Sequence, residues 1–346
     1  CSSDLYSAFG PVLGRAVKIV QAAHSNTEGV TGISTGFYKL DDITCGWQNS
    51  DLVIIAGRPA MGKTAFALSL AKNIAIDQRK PMAFFSLEMA DVQLANRLMS
   101  NVCSIEGKKL LNGQLSRDDW DRLDKNLGFM EDAPLYIDET EGISILELRT
   151  KARRLVREHK IELIMIDYLQ LMTASGMKFN SRQEEVSLIS RSLKGLAKEL
   201  NIPVLALSQL NRGVESREGV EGKRPQLSDL RESGAIEQDA DMVIFLHRPE
   251  YYGLHMSDDG KDYRGKAEVI ISKHRKGATG IITMDFKGEY TRFENPEDNS
   301  LADRPITEGG EIRGSAINGE NNPPGGFDNI DLKTVIPPPY NRPISF

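Results

Sequence analysis

Residues 57–64 read GRPAMGKT, which fits the spacing G-x-x-x-x-G-K-[ST]. The stretch follows an apolar run, LVIIA, and opens a helical pattern, KTAFALSLAKNIA. That is the setting a phosphate-binding loop requires. Gly57 and Gly62 let the backbone of Arg58, Pro59, Ala60 and Met61 wrap an anion. Successive N–H groups and a helix N-terminus then face it. Lys63 would reach the β- and γ-phosphates of a nucleotide, and Thr64 would hold Mg²⁺. The alternative is a chance glycine-rich turn, against which the flanking strand and helix both speak.

Further polar residues sit at the ends of later apolar runs. IELIMIDYLQ ends its strand in Asp167, where a second Mg²⁺ contact belongs if this strand lies beside the first. Strands also end in Asp as an ordinary turn residue. MAFFSLEM places Glu88 just past another strand. A carboxylate there can polarise a water for attack on a γ-phosphate, or can simply favour a helix N-terminus. VLALSQLNR ends in Ser208-Gln209. An amide both donates and accepts, so Gln209 could sense a γ-phosphate; the pattern alone favours a plain polar strand end. Beyond it, residues 211–241 form a long polar stretch, in which basic and acidic residues nearly balance from Arg212 to Arg231. A solvated loop is one reading, although long loops in compact domains are usually functional or disordered. Residues 269–280, VIISKHRKGATG, carry Lys273, Arg275 and Lys276, with no acidic residue between Ile271 and Thr283 to pair with them. Alternate strand residues share a face, so Lys273 and Arg275 are expected to point the same way.

The elements that position these residues follow from periodicity. Strands are expected at 52–56, 82–86, 135–137, 163–167, 204–208, 242–246, 267–273 and 281–286. Helices are expected at 63–75, 91–102, 117–127, 144–159 and 182–200. Most of the strands are continuous apolar runs, as parallel strands covered on both faces should be. The alternation implies an α/β fold with a mostly parallel central sheet flanked by helices. The last two strands are joined too tightly for a crossover and form an antiparallel edge hairpin. Residues 29–50 read as a turn-filled preamble, and residues 1–28 as a linker with one short helix. Residues 296–346 hold more than half of the chain's 15 prolines and read as a disordered tail.

Bulk composition narrows the class. The chain has 346 residues, 40% of them hydrophobic, and a formal net charge of −6. The acidic balance excludes a protein that coats nucleic acid by diffuse charge, though not one with a local basic site. The 3 cysteines are scattered and the 5 histidines do not cluster, so neither a disulfide framework nor a zinc site is expected, and a reducing cytoplasm is. No apolar run is long enough for a membrane span. The first residue is Cys and not Met, which reads as a partial or processed chain.

In order, the blocks TGISTGFYKLDDIT, GRPAMGKT, FFSLEM, LIMIDYLQLM, SQLNRGVE, RPQLSDLRESGAIEQDADMVIFLHR and SKHRKGATG closely resemble the bacterial replicative DNA helicases of the DnaB family. The resemblance covers roughly residues 29–295. It implies a RecA-like P-loop ATPase domain, ATP and Mg²⁺ as ligands, and a ring hexamer that moves 5′ to 3′ on single-stranded DNA and unwinds duplex. It also implies roles. Lys63 and Thr64 match the phosphate and Mg²⁺ ligands, Glu88 the catalytic base, Asp167 the second Mg²⁺ residue and Gln209 the sensor. Arg212, Arg231, Glu232 and Gly234 match positions in the family's DNA-binding loops. Lys273 and Arg275 match residues that reach the neighbouring subunit's ATP site. The chain departs from the pattern at Cys45-Gly46, where Gly-Gly is common. The family's N-terminal domain, which meets the primase, has no counterpart in these residues, so contact with a primase or a helicase loader is an open expectation. A RecA-like recombination or repair ATPase and a phage or truncated helicase homologue are the alternative readings.

Overall fold

The computed structural model describes residues 8–25, 29–174, 179–217, 222–256, 260 and 262–296. Nine strands form one sheet in the order β3-β2-β4-β5-β1-β6-β7-β8-β9. They are β1 (Leu52–Gly57), β2 (Met82–Ser86), β3 (Leu135–Asp138), β4 (Leu163–Asp167), β5 (Val204–Gln209), β6 (Met242–His247), β7 (Lys266–His274), β8 (Gly280–Lys287) and β9 (Arg292–Glu294). The first six in that order are mutually parallel, and β7, β8 and β9 run antiparallel at one edge.

The continuous apolar runs have the cause expected of them. Every residue of β1 is buried. Val53 and Ile55 join a core on one face with Phe37, Trp47 and Phe66. Leu52, Ile54 and Ala56 join a second core with Phe85, Ile166 and Leu193. A strand with helices on both faces has no polar side, so alternation disappears.

The helices are α1 (Phe9–Ser25), α2 (Tyr38–Thr44), α3 (Lys63–Ala71), α4 (Asp91–Cys103), α5 (Gly107–Asn112), α6 (Arg117–Glu131), α7 (Ile145–His159), α8 (Arg182–Leu200) and α9 (Gly234–Asp239). Caps define several starts: Ser116, Ser144 and Ser181 each accept from the backbone N–H three residues on. α3 is shorter than the helical pattern over 63–75 suggests. From Lys72 to Asp77 the chain continues as a π-helical turn.

Two expectations need correction and one is extended. The preamble is not all turns, because α2 lies within it. Its register is set by Asp41, whose carboxylate accepts from Ser34 Oγ at 2.6 Å and Thr35 N at 2.8 Å. Cys45 closes α2 in the left-handed region at φ 55°, a conformation that glycine adopts at less cost. The expected antiparallel edge hairpin is formed by β7 and β8, and β9 extends it by one strand. β9 has only three residues, too few for a period, yet its Phe293 is buried against Phe66 and Phe286 at ring distances of 5.1 and 5.0 Å. Finally, β4 does not lie beside β1, since β5 runs between them.

The expected linker region 1–28 contains α1, on which Phe9, Val12, Leu13, Val17 and Val20 are exposed. The expected tail lies outside the described residues apart from Pro296, whose carbonyl accepts from the Tyr38 hydroxyl at 3.4 Å. No described helix is long and apolar enough to cross a membrane. Cys45 and Cys103 are free thiols.

Candidate active site

The sheet aligns the chemistry-bearing residues before any side chain is considered. In a mostly parallel sheet, strand C-termini open onto a common crevice. Here Gly57 pairs with Gln209 across β1 and β5, and Ser86 pairs with Asp167 across β2 and β4. The phosphate-loop candidate, Glu88, Asp167 and Gln209 therefore emerge at one edge.

From Gly57 the loop turns into α3 at Lys63. Gly62 sits at φ 91°, and a Cβ there would lie 3.1 Å from the Phe293 ring and 3.4 Å from that of Phe286. Only glycine fits both the angle and the space. The first N–H groups of α3 have no intrahelical acceptor, so they are open to an anion. Lys63 Nζ folds back over its own loop and donates to the carbonyls of Gly57 at 2.9 Å and Arg58 at 3.2 Å. Burial pushes this amine down to about 8, against the opposing pull of the Asp167 and Glu88 carboxylates.

Thr64 Oγ1 donates to Asp167 Oδ2 at 2.8 Å. Although β5 separates β4 from β1, the first turn of α3 brings the hydroxyl to the carboxylate. Asp167 is 4% exposed. Burial pushes its carboxyl up, the nearby Glu88 adds to this, and Thr64, Lys63 and Arg97 oppose it. Glu88 is exposed. The segment carrying it is held by two bonds: Leu87 N donates to Asp167 O at 2.7 Å, and Ser86 Oγ donates to Met89 O at 2.7 Å.

Lys63, Thr64, Glu88, Asp167 and Gln209 line one cavity of about 370 Å³, with Pro59, Ala60 and Gly62 on its loop side. A hydroxyl beside a carboxylate is a donor set for a hard divalent cation, and an amine with open amides is one for a polyphosphate. Among the described residues there is no cluster of three His, Cys, Asp or Glu able to hold a metal without further ligands. Mg²⁺ characteristically uses one or two protein ligands and takes the rest from phosphates and water, so this donor set fits it.

Two loop residues face elsewhere. Met61 is buried in the core at 1% exposure. Arg58 is also buried, and its guanidinium donates away from the cavity, to Leu210 O at 2.8 Å and Glu215 Oε1 at 2.9 Å. The structure also brings in residues that no sequence pattern singled out. Arg97 on α4 and Tyr168 line the cavity. Arg248 donates to Ala60 O at 3.2 Å and lies over the Phe286 ring at 4.1 Å. Gln170 clasps the end of β5. A lone Arg or Gln in a helix or turn carries no periodic or spacing signal, so only the fold could reveal these.

Lys273 and Arg275 do not line the cavity of their own chain. Both reach the C-terminal end of α9, where Lys273 Nζ donates to Glu237 O and Arg275 to Gln238 O. Arg275 also lies 3.7 Å from the Asp241 carboxylate, and Lys276 Nζ donates to Asp51 at 2.7 Å. The counter-ions missing from the local sequence are thus supplied across the fold. Arg212 is exposed on a 3-10 turn, Arg212–Val214. Arg231 and Glu232 lie in the 3-10 segment Leu227–Ser233, and Gly234 opens α9; the side chains at 231–234 fall outside the described residues.

Residues 32–295 match the model of the DnaB-like helicase C terminal domain. The chain is 45% identical over 286 residues to the replicative DNA helicase DnaC of Bacillus subtilis (strain 168), covering 83% of this chain and 61% of that protein. It is 46% identical over 297 residues to the replicative DNA helicase DnaB of Geobacillus stearothermophilus, covering 85% and 63%. Among solved structures, a DnaB-like replicative helicase, described with its interactions with primase, superposes with a TM-score of 0.73 at 39% identity, over 81% of this chain and 67% of that one. The chain spans about three fifths of the length of the two bacterial helicases. A cavity whose phosphate loop, carboxylates and amide all sit on strand ends, in a RecA-like sheet matched along nearly its whole length, leads to one assignment: the chain belongs to the DnaB-like helicase C-terminal domain family.

Proposed function

We propose that this chain is the motor of a replicative DNA helicase, hydrolysing ATP to move 5′ to 3′ along single-stranded DNA and separate duplex. The observation that carries the proposal is the Thr64–Asp167 hydrogen bond of 2.8 Å, set in one cavity with Lys63, Glu88 and Gln209. Lys63 leaves its two loop carbonyls to neutralise the β- and γ-phosphates. Thr64 and Asp167 would hold Mg²⁺, which would supply charge neutralisation on the phosphate oxygens. Glu88, a solvent-reached carboxylate on a pinned segment, accepts a proton from the attacking water. Gln209 reads the state of the γ-phosphate from the end of β5. Arg212, Arg231, Glu232 and Gly234 belong to the loops that face DNA, where Arg231 supplies charge and Gly234 allows close backbone approach to the phosphates, contacts that position a strand without reading its sequence.

The site is completed by a second copy in a homo-oligomeric ring, a hexamer by family resemblance. Lys273 and Arg275 point away from their own cavity, which supports their action on a neighbour's nucleotide. Work on cytoplasmic DNA and contacts with primase and a loader belong to the same reading. The test is ATP hydrolysis with and without single-stranded DNA, followed by unwinding of a forked duplex, for the wild type and Lys63→Ala. DNA-stimulated turnover and unwinding that both vanish in Lys63→Ala are expected. Strand exchange without unwinding would assign the chain to recombination instead.

A further inference from the structure

β5 is paired unequally at its end. On one side β1 follows it to the last residue, with Ala56 opposite Ser208 and Gly57 opposite Gln209. On the other side the β4 ladder stops at Ile166 opposite Ala206, because β4 ends at Asp167 and the chain turns into the 3-10 segment Leu169–Leu171. Ser208 and Gln209 thereby lose their strand neighbour just where Gln209 enters the cavity. The side chain of Gln170 takes that place. Its Oε1 accepts from Gln209 N at 3.2 Å, and its Nε2 donates to Gln209 O at 3.1 Å and to Ser208 Oγ at 2.9 Å. A primary amide carries an acceptor and two donors in one plane, and here its bonds to Gln209 N and O stand in for the backbone bonds of an adjacent strand. Gln170 is itself held, since Arg182 at the start of α8 donates to Gln170 O at 2.6 Å and to Met172 O at 2.8 Å.

We infer that Gln170 is a positioning residue for the hydrolytic reaction: its amide replaces the missing strand and fixes the backbone of Gln209, so that the Gln209 side chain faces the nucleotide. The inference rests on the reading of Gln209 as the γ-phosphate sensor. Gln170 lines the cavity on the far side of Gln209 and not the nucleotide cavity, whereas Gln209 lines both. Gln170 therefore acts on the reaction only through the strand end it holds.

The experiment is steady-state ATP hydrolysis by the assembled protein, comparing Gln170→Ala, Gln209→Ala, the double variant and Gln170→Glu. Gln170→Glu keeps the volume and the acceptor for Gln209 N but sets a carboxylate against Gln209 O. The expected result is a kcat lowered roughly ten- to a hundredfold in both alanine variants, a cost in keeping with a displaced catalytic group, with KM for ATP changed less than about twofold. The double variant is no slower than the slower single variant, as for residues that act as a unit. Gln170→Glu is slowed as well, and thermal midpoints confirm that each variant is folded. If Gln209→Ala is slow while Gln170→Ala turns over normally, or if the two losses multiply, the clamp is overturned and the sensor reading stands. If Gln170→Glu is silent while Gln170→Ala is slow, Gln170 merely fills space and the clamp is overturned. If Gln209→Ala turns over as wild type, the sensor reading fails and the clamp with it.

Discussion

Arg58 Nε lies 2.9 Å from Glu215 Oε1, joining the second residue of the phosphate loop to the segment that follows β5, 157 positions later. A second nitrogen of the same guanidinium approaches the same oxygen at 2.8 Å. The Arg58 side chain is 6% exposed and that of Glu215 47%. The loop 57–64 and the turn that carries Arg212 are thus joined by a charged tie.

Removing one end of that tie should be felt. In Glu215→Gln a weaker neutral acceptor replaces the carboxylate beside a buried guanidinium. A charge-assisted bond of this kind, discounted for the exposed side of Glu215, contributes about 1 kcal/mol. The urea midpoint should fall by the equivalent amount with an unchanged m-value. A midpoint indistinguishable from wild type would show that the bridge adds nothing to stability.

Arg275→Ala should leave ATP affinity nearly intact and remove most turnover. A trans-acting arginine is worth roughly 10³–10⁵ in rate in other P-loop enzymes. Mixing Arg275→Ala with Lys63→Ala subunits should restore part of the activity, because some interfaces then pair an intact loop with an intact Arg275. Full ATPase activity in assembled Arg275→Ala alone would refute action on a neighbour.

His247 gives the fold an acid limit. It is 2% exposed, and burial, aided by the Arg224 charge, pushes its imidazole down to about 4 from 6.5. Below pH 6.5 the unfolded chain takes up a proton that the folded chain refuses until about pH 4. Stability is therefore lost as pH falls through that window, by roughly 2 kcal/mol between pH 7.5 and 5 from this group alone. His247→Phe, which keeps the ring beside Tyr252, should lessen the fall in urea midpoint between those pH values. An unchanged pH profile would place the acid sensitivity elsewhere.

Arg212→Ala should weaken single-stranded DNA binding without altering base preference and reduce the salt slope of log K by about 1. Arg231→Ala should do the same. Fluorescence anisotropy across a salt series reads both quantities. An unchanged slope would remove either residue from the DNA path.

What the sequence determined by itself was local or periodic. GRPAMGKT is legible because its glycines, lysine and threonine lie within one strand–turn–helix unit, so spacing alone carries the geometry. The buried strands are legible because burial on both faces removes alternation. β9 and α2 were not legible, being too short for a period and defined by side-chain contacts, of Phe293 with the distant Phe66 and of Asp41 with the preceding turn at Ser34 and Thr35. Only the tertiary structure decided which strand ends are neighbours. The Thr64–Asp167 bond spans 103 positions and survives although β5 intervenes between their strands. Only the fold turned Arg58 toward Leu210 and Glu215, gave Arg275 and Lys276 their counter-ions in Asp241 and Asp51, and set Gln170 where a strand runs out. The physical reason is that a hydrogen bond or ion pair needs atoms within about 3–4 Å. Chain order fixes such distances only within an element, and sheet order and loop path fix the rest.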